Sequence, residues 1–133
     1  MPNPCTYDYA IVRVVPRVER GEFVNAGVIV CCAQQGFLAA RIELDEARLR
    51  ALDPTLDIDA IRTTLAAIPV VCAGGEQAGA LGQLSLRERF DWLVAPRSTS
   101  IQVSPVHTGR AGDLNEAMER LVETLVRTNG RPA

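Results

Sequence analysis

The sequence predicts a single α+β domain over residues 1–133, in which an antiparallel β-meander sheet of at least three strands is covered by three to four helices. Two observations predict this class. Segments rich in β-branched residues come first, separated by short turns, and segments with apolar residues at helical spacing follow them. The 133 residues, 47% of them hydrophobic, suffice for one folded core, expected over about residues 7–126 between short flexible termini.

Three N-terminal segments are predicted to be strands. They are 7–18 (YDYAIVRVVPRV), 22–32 (EFVNAGVIVCC) and 37–44 (FLAARIEL), all rich in β-branched, aromatic or other apolar residues. The second is apolar on both faces, which indicates a central strand. Short glycine-containing turns separate the three, so neighbours should pair antiparallel. A further short strand is predicted over 100–104.

Helix signals follow the third strand. Asp45 can cap a short helix, and Asp57 can cap a longer one bounded by Pro69 and Gly74–Gly75. The apolar residues of the longer helix at helical spacing are Ile58, Ile61, Leu65 and Ile68. The glycine-rich segment 73–83 matches neither a phosphate-loop nor a dinucleotide pattern, and we interpret it as a mobile connection.

Two capping boxes, at 85–88 and 113–116, begin further helices. In the first of these helices Phe90 is expected in the core, whereas Trp92 suits either the core or an interface. The second is amphipathic and is predicted to end at Asn129–Gly130.

Composition argues against several classes of site. All 14 basic residues are arginine, so the chain offers no lysine for a Schiff base or a phosphate loop. The net charge of −2 argues against nucleic-acid binding, which usually requires a basic surface. The four cysteines include no C-x-x-C pair, and with a single histidine they predict no metal site and no cofactor.

The same features predict a location. Cys31 and Cys32 lie in an apolar strand, and buried free thiols suit a reducing cytoplasm. The first residues, MPNPCTYDYA, lack the charged and apolar regions of a signal peptide. The apolar runs are too short to span a bilayer. We therefore expect a cytoplasmic protein without a membrane segment.

Residues 96–109 (PRSTSIQVSPVHTG) are unusually polar and hold three of the chain's four serines and its only histidine. Arg97 offers a planar fork of donors for phosphate or carboxylate, and neighbouring hydroxyl and N–H groups can complete an anion site. His107 can donate to such an anion or act as general acid or base. The candidate ligand-binding residues here are Arg97, Ser98, Thr99, Gln102, Ser104 and His107. Alternatively, the hydroxyls satisfy the loop's own backbone and His107 packs against a helix.

Arg13 and Asn25 form a second candidate site. Arg13 lies in an apolar strand and needs either a nearby glutamate or an anionic ligand, because a buried unpaired charge is costly. Gly27 indicates a bulge or a close backbone approach. A turn centred on residues 20–21 predicts Arg13 and Asn25 to be about three residues apart along the sheet, without contact. A salt bridge within the fold is the alternative to a ligand.

Several stretches resemble a known family. They are FVNAGVIVCC, FLAARIELDEARLRALDP and LRERFDWLVAPRSTSIQVSPVHTG, and with the acidic start of the last helix they are similar to the bacterial family called domain of unknown function 3037 over about residues 7–126. The most specific part is R-S-T…Q-x-S-P-x-H-x-G, from Arg97 to Gly109. The resemblance implies a small cytoplasmic bacterial protein without an established activity. It also implies gene neighbours that encode HipA-type kinase-like proteins, and hence an accessory or regulatory role.

Three functional hypotheses follow. The first is a non-enzymatic accessory protein that binds a kinase-like partner protein, and an anionic small molecule through residues 97–109. The second is a small enzyme acting on a phosphate ester or nucleotide, with His107 as acid or base and Arg97 as a clamp. The third is nucleic-acid binding by a local arginine patch. An exposed strand edge would also allow a homodimer.

Overall fold

The computed structural model of the chain describes residues 4–128 and contains a five-stranded antiparallel sheet with helices on both faces. Its strands are β1 (Cys5–Val14), β2 (Val24–Cys32), β3 (Phe37–Ile42), β4 (Ile101–Val103) and β5 (His107–Ala111). Its α-helices are α1 (Glu46–Leu52), α2 (Ile58–Ala73), α3 (Leu86–Leu93) and α4 (Leu114–Leu125). Short 3₁₀ segments occupy Val18–Arg20, Ala33–Gln35 and Glu76–Gln83. The predicted α+β class with an antiparallel meander is confirmed.

The strand order is β3-β2-β1-β4, and β5 pairs with β1 on the same side as β4, so β4 and β5 form one interrupted edge. β2 lies between β1 and β3 and buries eight of its nine residues, which confirms its predicted central position. The sequence did not predict β5, because its residues HTGRA contain no β-branched or aromatic run.

Alternate side chains of β1 point to opposite faces of the sheet. Val12 and Val14 join the core beneath α1, α2 and α3, on what we call the three-helix face. Cys5 and Tyr7 join the core beneath α4, on the α4 face. Phe90 of α3 is fully buried in the core of the three-helix face, as its sequence position predicts.

α4 is attached to the sheet by buried apolar residues such as Met118 and by a charged network at its C-terminal end. Arg127 donates to the Glu43 carboxylate at 2.6 and 2.8 Å, to Glu119 at 2.6 Å and to Glu123 at 2.8 Å. The hydrogen bonds from Arg127 are the main reason why the pKa values of Glu43 and Glu119 lie below their usual range.

Several predicted boundaries are wrong, including the start of the second strand, which is Val24 rather than 22, and the end of the third, which is Ile42 rather than 44. The first strand was expected to reach residue 18 but ends at Val14, before Pro16 and a 3₁₀ turn. α2 passes Pro69 and ends at Ala73, directly before Gly74–Gly75, so the glycine bound of this helix is confirmed and the proline bound is wrong. Pro69 removes a single backbone N–H, and the buried Val71 and Cys72 of the next turn hold the helix in place.

The glycine-rich segment is also not the loose connection that the sequence suggests. Residues Glu76–Gln83 form 3₁₀ turns, closed by a hydrogen bond of 3.2 Å from the Gly75 N–H to the Gly82 carbonyl. A Cβ atom at Gly82 would lie 1.8 Å from the Gly75 oxygen, so the two glycines permit this close approach. The predicted end of the last helix, Asn129–Gly130, lies outside the described residues.

Within residues 4–128, no single helix is long and apolar enough to cross a membrane. Ile58–Ala73 and Glu76–Gln83 reach the required length and composition only when taken together, and they are bent by 64° relative to each other. α2 buries six of its residues in the protein core.

Candidate functional site

The polar segment 96–109 is divided between the two faces of the sheet. Arg97 lies at the end of α3, on the three-helix face, beside Leu93 of its core. His107 begins β5 opposite Tyr9, and the two rings are in contact with centroids 5.4 Å apart. Tyr9 packs against the core of the α4 face. The structure therefore does not bring His107 and Arg97 together.

Arg97 caps the C-terminal end of α3. Its guanidinium donates to the carbonyls of Trp92 at 3.0 Å, Leu93 at 3.2 Å and Ala95 at 3.5 Å. The guanidinium carbon lies 4.5 Å from the centroid of the Trp92 ring, a cation–π contact. These contacts satisfy carbonyls that the helix leaves open and fix the plane of the guanidinium.

The hydroxyl and amide side chains of Thr99 and Gln102, after Arg97, donate hydrogen bonds to backbone carbonyls of the same segment. Thr99 donates through its hydroxyl to the Ile101 carbonyl at 3.0 Å, and the Gln102 amide donates to the Thr99 carbonyl at 2.9 Å. Ser98 is exposed and has no side-chain hydrogen bond within residues 4–128. The local backbone alternative therefore accounts for Thr99 and Gln102.

Ser104 completes the pairing of β1 where β4 ends. Its hydroxyl accepts from the Ile11 N–H at 2.8 Å and donates to the Pro105 carbonyl at 2.8 Å, while its own N–H donates to the Ile11 carbonyl at 2.9 Å. Only 3% of Ser104 is exposed, so this hydroxyl is a structural bridge rather than an open ligand contact.

The three-helix face contains an apolar cavity of about 570 Å³, which we call the Trp92 cavity. It lies between α2, the 3₁₀ segment Glu76–Gln83, the end of α3 and β4. The residues that line it are Thr64, Ala67, Ile68, Val70, Val71, Gln77, Ala78, Leu81, Trp92, Leu93, Arg97, Thr99, Ile101, Gln102 and Val103. Trp92 remains 43% exposed at its rim. The sequence indicated Arg97, Thr99 and Gln102 as candidate ligand-binding residues but not the residues that α2 contributes to the cavity. The pattern of α2 is that of an ordinary amphipathic helix and carries no sign of a binding site.

Three polar residues are neighbours across three strands, and one of them, Gln102, also lines the Trp92 cavity. Arg13 of β1 is paired with Asn25 of β2 and with Gln102 of β4. We call these three residues the Arg13 row. The predicted separation of Arg13 and Asn25 is wrong: the connection between β1 and β2 shifts the register by two residues, so that Ile11 and not Arg13 pairs with Val28, and a bulge at Ala26 adds a third. Beside it, a Cβ at Gly27 would lie 2.5 Å from the Arg41 carbonyl oxygen, the expected close approach.

Each member of the pair has an unsatisfied buried atom. The Asn25 amide nitrogen donates to the Leu125 carbonyl at the end of α4, at 3.0 Å. Its oxygen and the Nε of Arg13 are buried without a hydrogen-bond partner within residues 4–128. The guanidinium carbon of Arg13 lies 4.2 Å from the centroid of the Phe23 ring.

The cysteines offer no activated nucleophile among the described residues. Cys5, Cys31, Cys32 and Cys72 are free and buried. Burial raises the pKa of Cys31 to about 11 and that of Cys72 to about 12, so both thiols are protonated at neutral pH. No three His, Cys, Asp or Glu side chains of residues 4–128 lie close enough together to hold a metal ion.

Comparison with known proteins yields one match. A family model described as a protein of unknown function (DUF3037) matches residues 9–126. No curated protein and no solved structure matches the chain. The matched region runs from the middle of β1 to the end of α4 and includes both the Trp92 cavity and the Arg13 row. The chain therefore belongs to the DUF3037 family.

Proposed function

We propose that the protein is a non-enzymatic accessory protein whose Trp92 cavity binds a small amphipathic anion. The cavity itself is the observation that carries this proposal. Its 570 Å³ are typical of ligand sites, which span about 300–1,000 Å³ and are mostly apolar with a few polar groups. The ligand's apolar body would contact α2 and β4, and its carboxylate or phosphate would lie at Arg97.

Arg97 is suited to this task. Among the described residues that line the cavity it is the only charged one. Three of its N–H groups are directed at carbonyls of Trp92, Leu93 and Ala95, which leaves two of the five guanidinium donors for a ligand. Because the helix end and Trp92 already hold the guanidinium, binding costs little additional side-chain entropy.

Three observations favour binding without a chemical step. A phosphate-ester reaction at Arg97 would need a general acid or base nearby, and His107 lies on the other face of the sheet. Ser104 is engaged in the sheet. The thiols of Cys31 and Cys72 are protonated. The accessory role and a kinase-like partner follow from the family resemblance and stay predictions.

A local arginine patch for nucleic acid is less well supported. Seven arginines of residues 4–128 already hold carboxylates: Arg17, Arg20, Arg41, Arg50, Arg62, Arg87 and Arg127. Their charge is thus largely compensated on the surface.

Trp92 is the chain's only tryptophan and therefore reports directly on the cavity. The purified full-length chain is titrated with decanoate and decyl phosphate, and separately with decyltrimethylammonium, which has the same apolar chain but a cationic head. We expect a saturable blue shift of Trp92 emission with both anions and a much weaker response to the cation. No response to either anion would contradict the proposal.

Two neighbouring alanines of α2 provide a matched control. Ala67 lines the cavity, whereas the exposed Ala66 does not. Ala67→Phe should abolish the response to decanoate, and Ala66→Phe should leave it unchanged. Arg97→Gln should weaken decanoate binding about tenfold, because a hydrogen bond to a charged group is lost. Equal effects of the two phenylalanine variants would place the binding site elsewhere.

A further inference from the structure

Arg13 and Asn25 of the Arg13 row lie on the face of the sheet opposite the core of the three-helix face, whereas Gln102 of the same row also lines the Trp92 cavity. Val12 and Val14 point into the core of the three-helix face, so Arg13 between them points to the α4 face. Asn25 confirms this direction, because its amide reaches the Leu125 carbonyl of α4. α4 packs mainly over β2 and β3, which leaves the part of this face formed by β1 and β4 less covered.

The positive charge of Arg13 is not compensated within residues 4–128. Among residues 4–128, no carboxylate lies within 4.0 Å of its guanidinium, whereas seven other arginines each hold one. Its neighbours across the sheet, Asn25 and Gln102, are neutral amides. Arg13 is only partly exposed and its Nε is buried without an acceptor. A half-buried guanidinium in this situation is stabilised most by an anionic acceptor.

The surroundings favour a protein as the source of that anion. Phe23 packs against one side of the Arg13 guanidinium and is 44% exposed. Aromatic residues and arginine are both enriched at protein interfaces, and arginine is among the residues that contribute most to binding energy there. The ring offers apolar area that a free inorganic anion would leave exposed to water. We propose that the Arg13 row and Phe23 bind an acidic segment of a partner protein, with an Asp or Glu carboxylate on Arg13 and an apolar side chain on Phe23.

The test uses the full-length chain with a photoreactive p-benzoylphenylalanine in place of Glu22, an exposed neighbour of Phe23. The chain is irradiated in a lysate of its source organism, and the crosslinked peptide is mapped by mass spectrometry. We expect one crosslinked protein, joined within a segment that contains Asp or Glu. Arg13→Gln should lower the crosslink yield at least tenfold, whereas Arg110→Gln, at an exposed arginine of β5, should not change it.

Charge reversal then tests the contact itself. With the purified pair, Arg13→Glu should abolish binding, and replacing the mapped carboxylate of the partner by arginine should restore it. If Arg13→Gln or Arg13→Glu fails to fold, Arg13→Lys and the loss of the wild-type crosslink with rising NaCl replace them. No crosslinked protein, a crosslinked peptide without acidic residues, or a yield unaffected by Arg13 would overturn the proposal. Decanoate binding at Trp92 is measured on the opposite face, so either proposal can fail without the other.

Discussion

The two faces of the sheet are covered differently, and each leaves a different kind of surface free. Three helices cover one face, where α2, the 3₁₀ segment Glu76–Gln83 and the end of α3 enclose the Trp92 cavity against β4. One helix covers the other face and leaves the flat Arg13 row near the sheet edge. A concave apolar site buries most of a small molecule, whereas a flat polar and aromatic strip suits a protein surface.

One sheet can therefore present two different kinds of surface without a second domain. β1 supplies residues to both faces in alternation, with Val12 and Val14 on one side and Arg13 on the other. Mutations on the two faces should therefore have separable effects on stability and binding.

The largest loss of stability is expected on the three-helix face. Phe90→Ala removes a fully buried ring from its core and should lower the free energy of unfolding by about 3–5 kcal/mol. Met118→Ala, 5% exposed beneath the single α4, should cost less, about 2–3 kcal/mol. Urea denaturation followed by circular dichroism measures both. A larger loss for Met118 would mean that the α4 face carries the main core.

A smaller effect is expected within the sheet at the bulge. Gly27→Ala places a Cβ 2.5 Å from the Arg41 carbonyl oxygen, a backbone atom, so β2 and β3 must separate. We expect a loss of about 1–3 kcal/mol in urea denaturation. Gly36→Asn is the control, because Gly36 has a φ of 62° and open space around it. If both substitutions are neutral, the strands are less closely packed than described.

A comparable or smaller loss is expected at the interrupted edge. Ser104→Ala removes the acceptor of the buried Ile11 N–H and should cost about 1–3 kcal/mol. Ser98→Ala, at an exposed serine of the same segment, should stay within about 0.5 kcal/mol. The measurement is the melting temperature of each variant in thermal unfolding. Equal melting temperatures would show that the hydroxyl bridge is dispensable.

The smallest effect on stability is expected from the ion pair between Arg127 and Glu43, which attaches the end of α4 to the sheet. The folded-state pKa of Glu43 is lowered by Arg127, so its contribution to stability is present at neutral pH and is lost as the pH falls through that lowered value. The urea midpoint of the wild type should therefore decrease between neutral pH and about pH 3 more than that of Arg127→Gln. Because these side chains are partly exposed, high salt should reduce the difference. Parallel pH profiles would exclude a role for the network.

The sequence predicted what depends on local patterns and missed what depends on packing between distant segments. The capping residues Asp45, Asp57 and Asp113 each accept from the backbone as expected, since a cap needs only neighbouring residues. The register of Arg13 against Asn25 was wrong, because a bulge and a long connection shift the pairing. Neither the bulge nor the long connection changes the periodicity of hydrophobic residues, so the sequence pattern could not reveal them.

The candidate site was predicted only in part, because it too depends on packing between segments that are distant in sequence. Composition identified Arg97, but grouped it with His107 because they are close in sequence. They are separated because Arg97 stays at the end of α3, whereas His107 lies in β5 opposite Tyr9, which packs on the α4 face. The Trp92 cavity involves four elements and is a property of their packing, which no single stretch encodes.

The interruption at Ser104 also bears on the solubility of the protein. The edge beside β1 is divided into strands of three and five residues, with Pro105 between them. Proline and a break in pairing on an outer strand hinder the addition of another chain to the sheet. A continuous strand here would give a second copy, or a fibril, a longer template on which to pair. The same bridge that completes the sheet thus protects this edge against aggregation, and it places any self-association through this edge at a disadvantage.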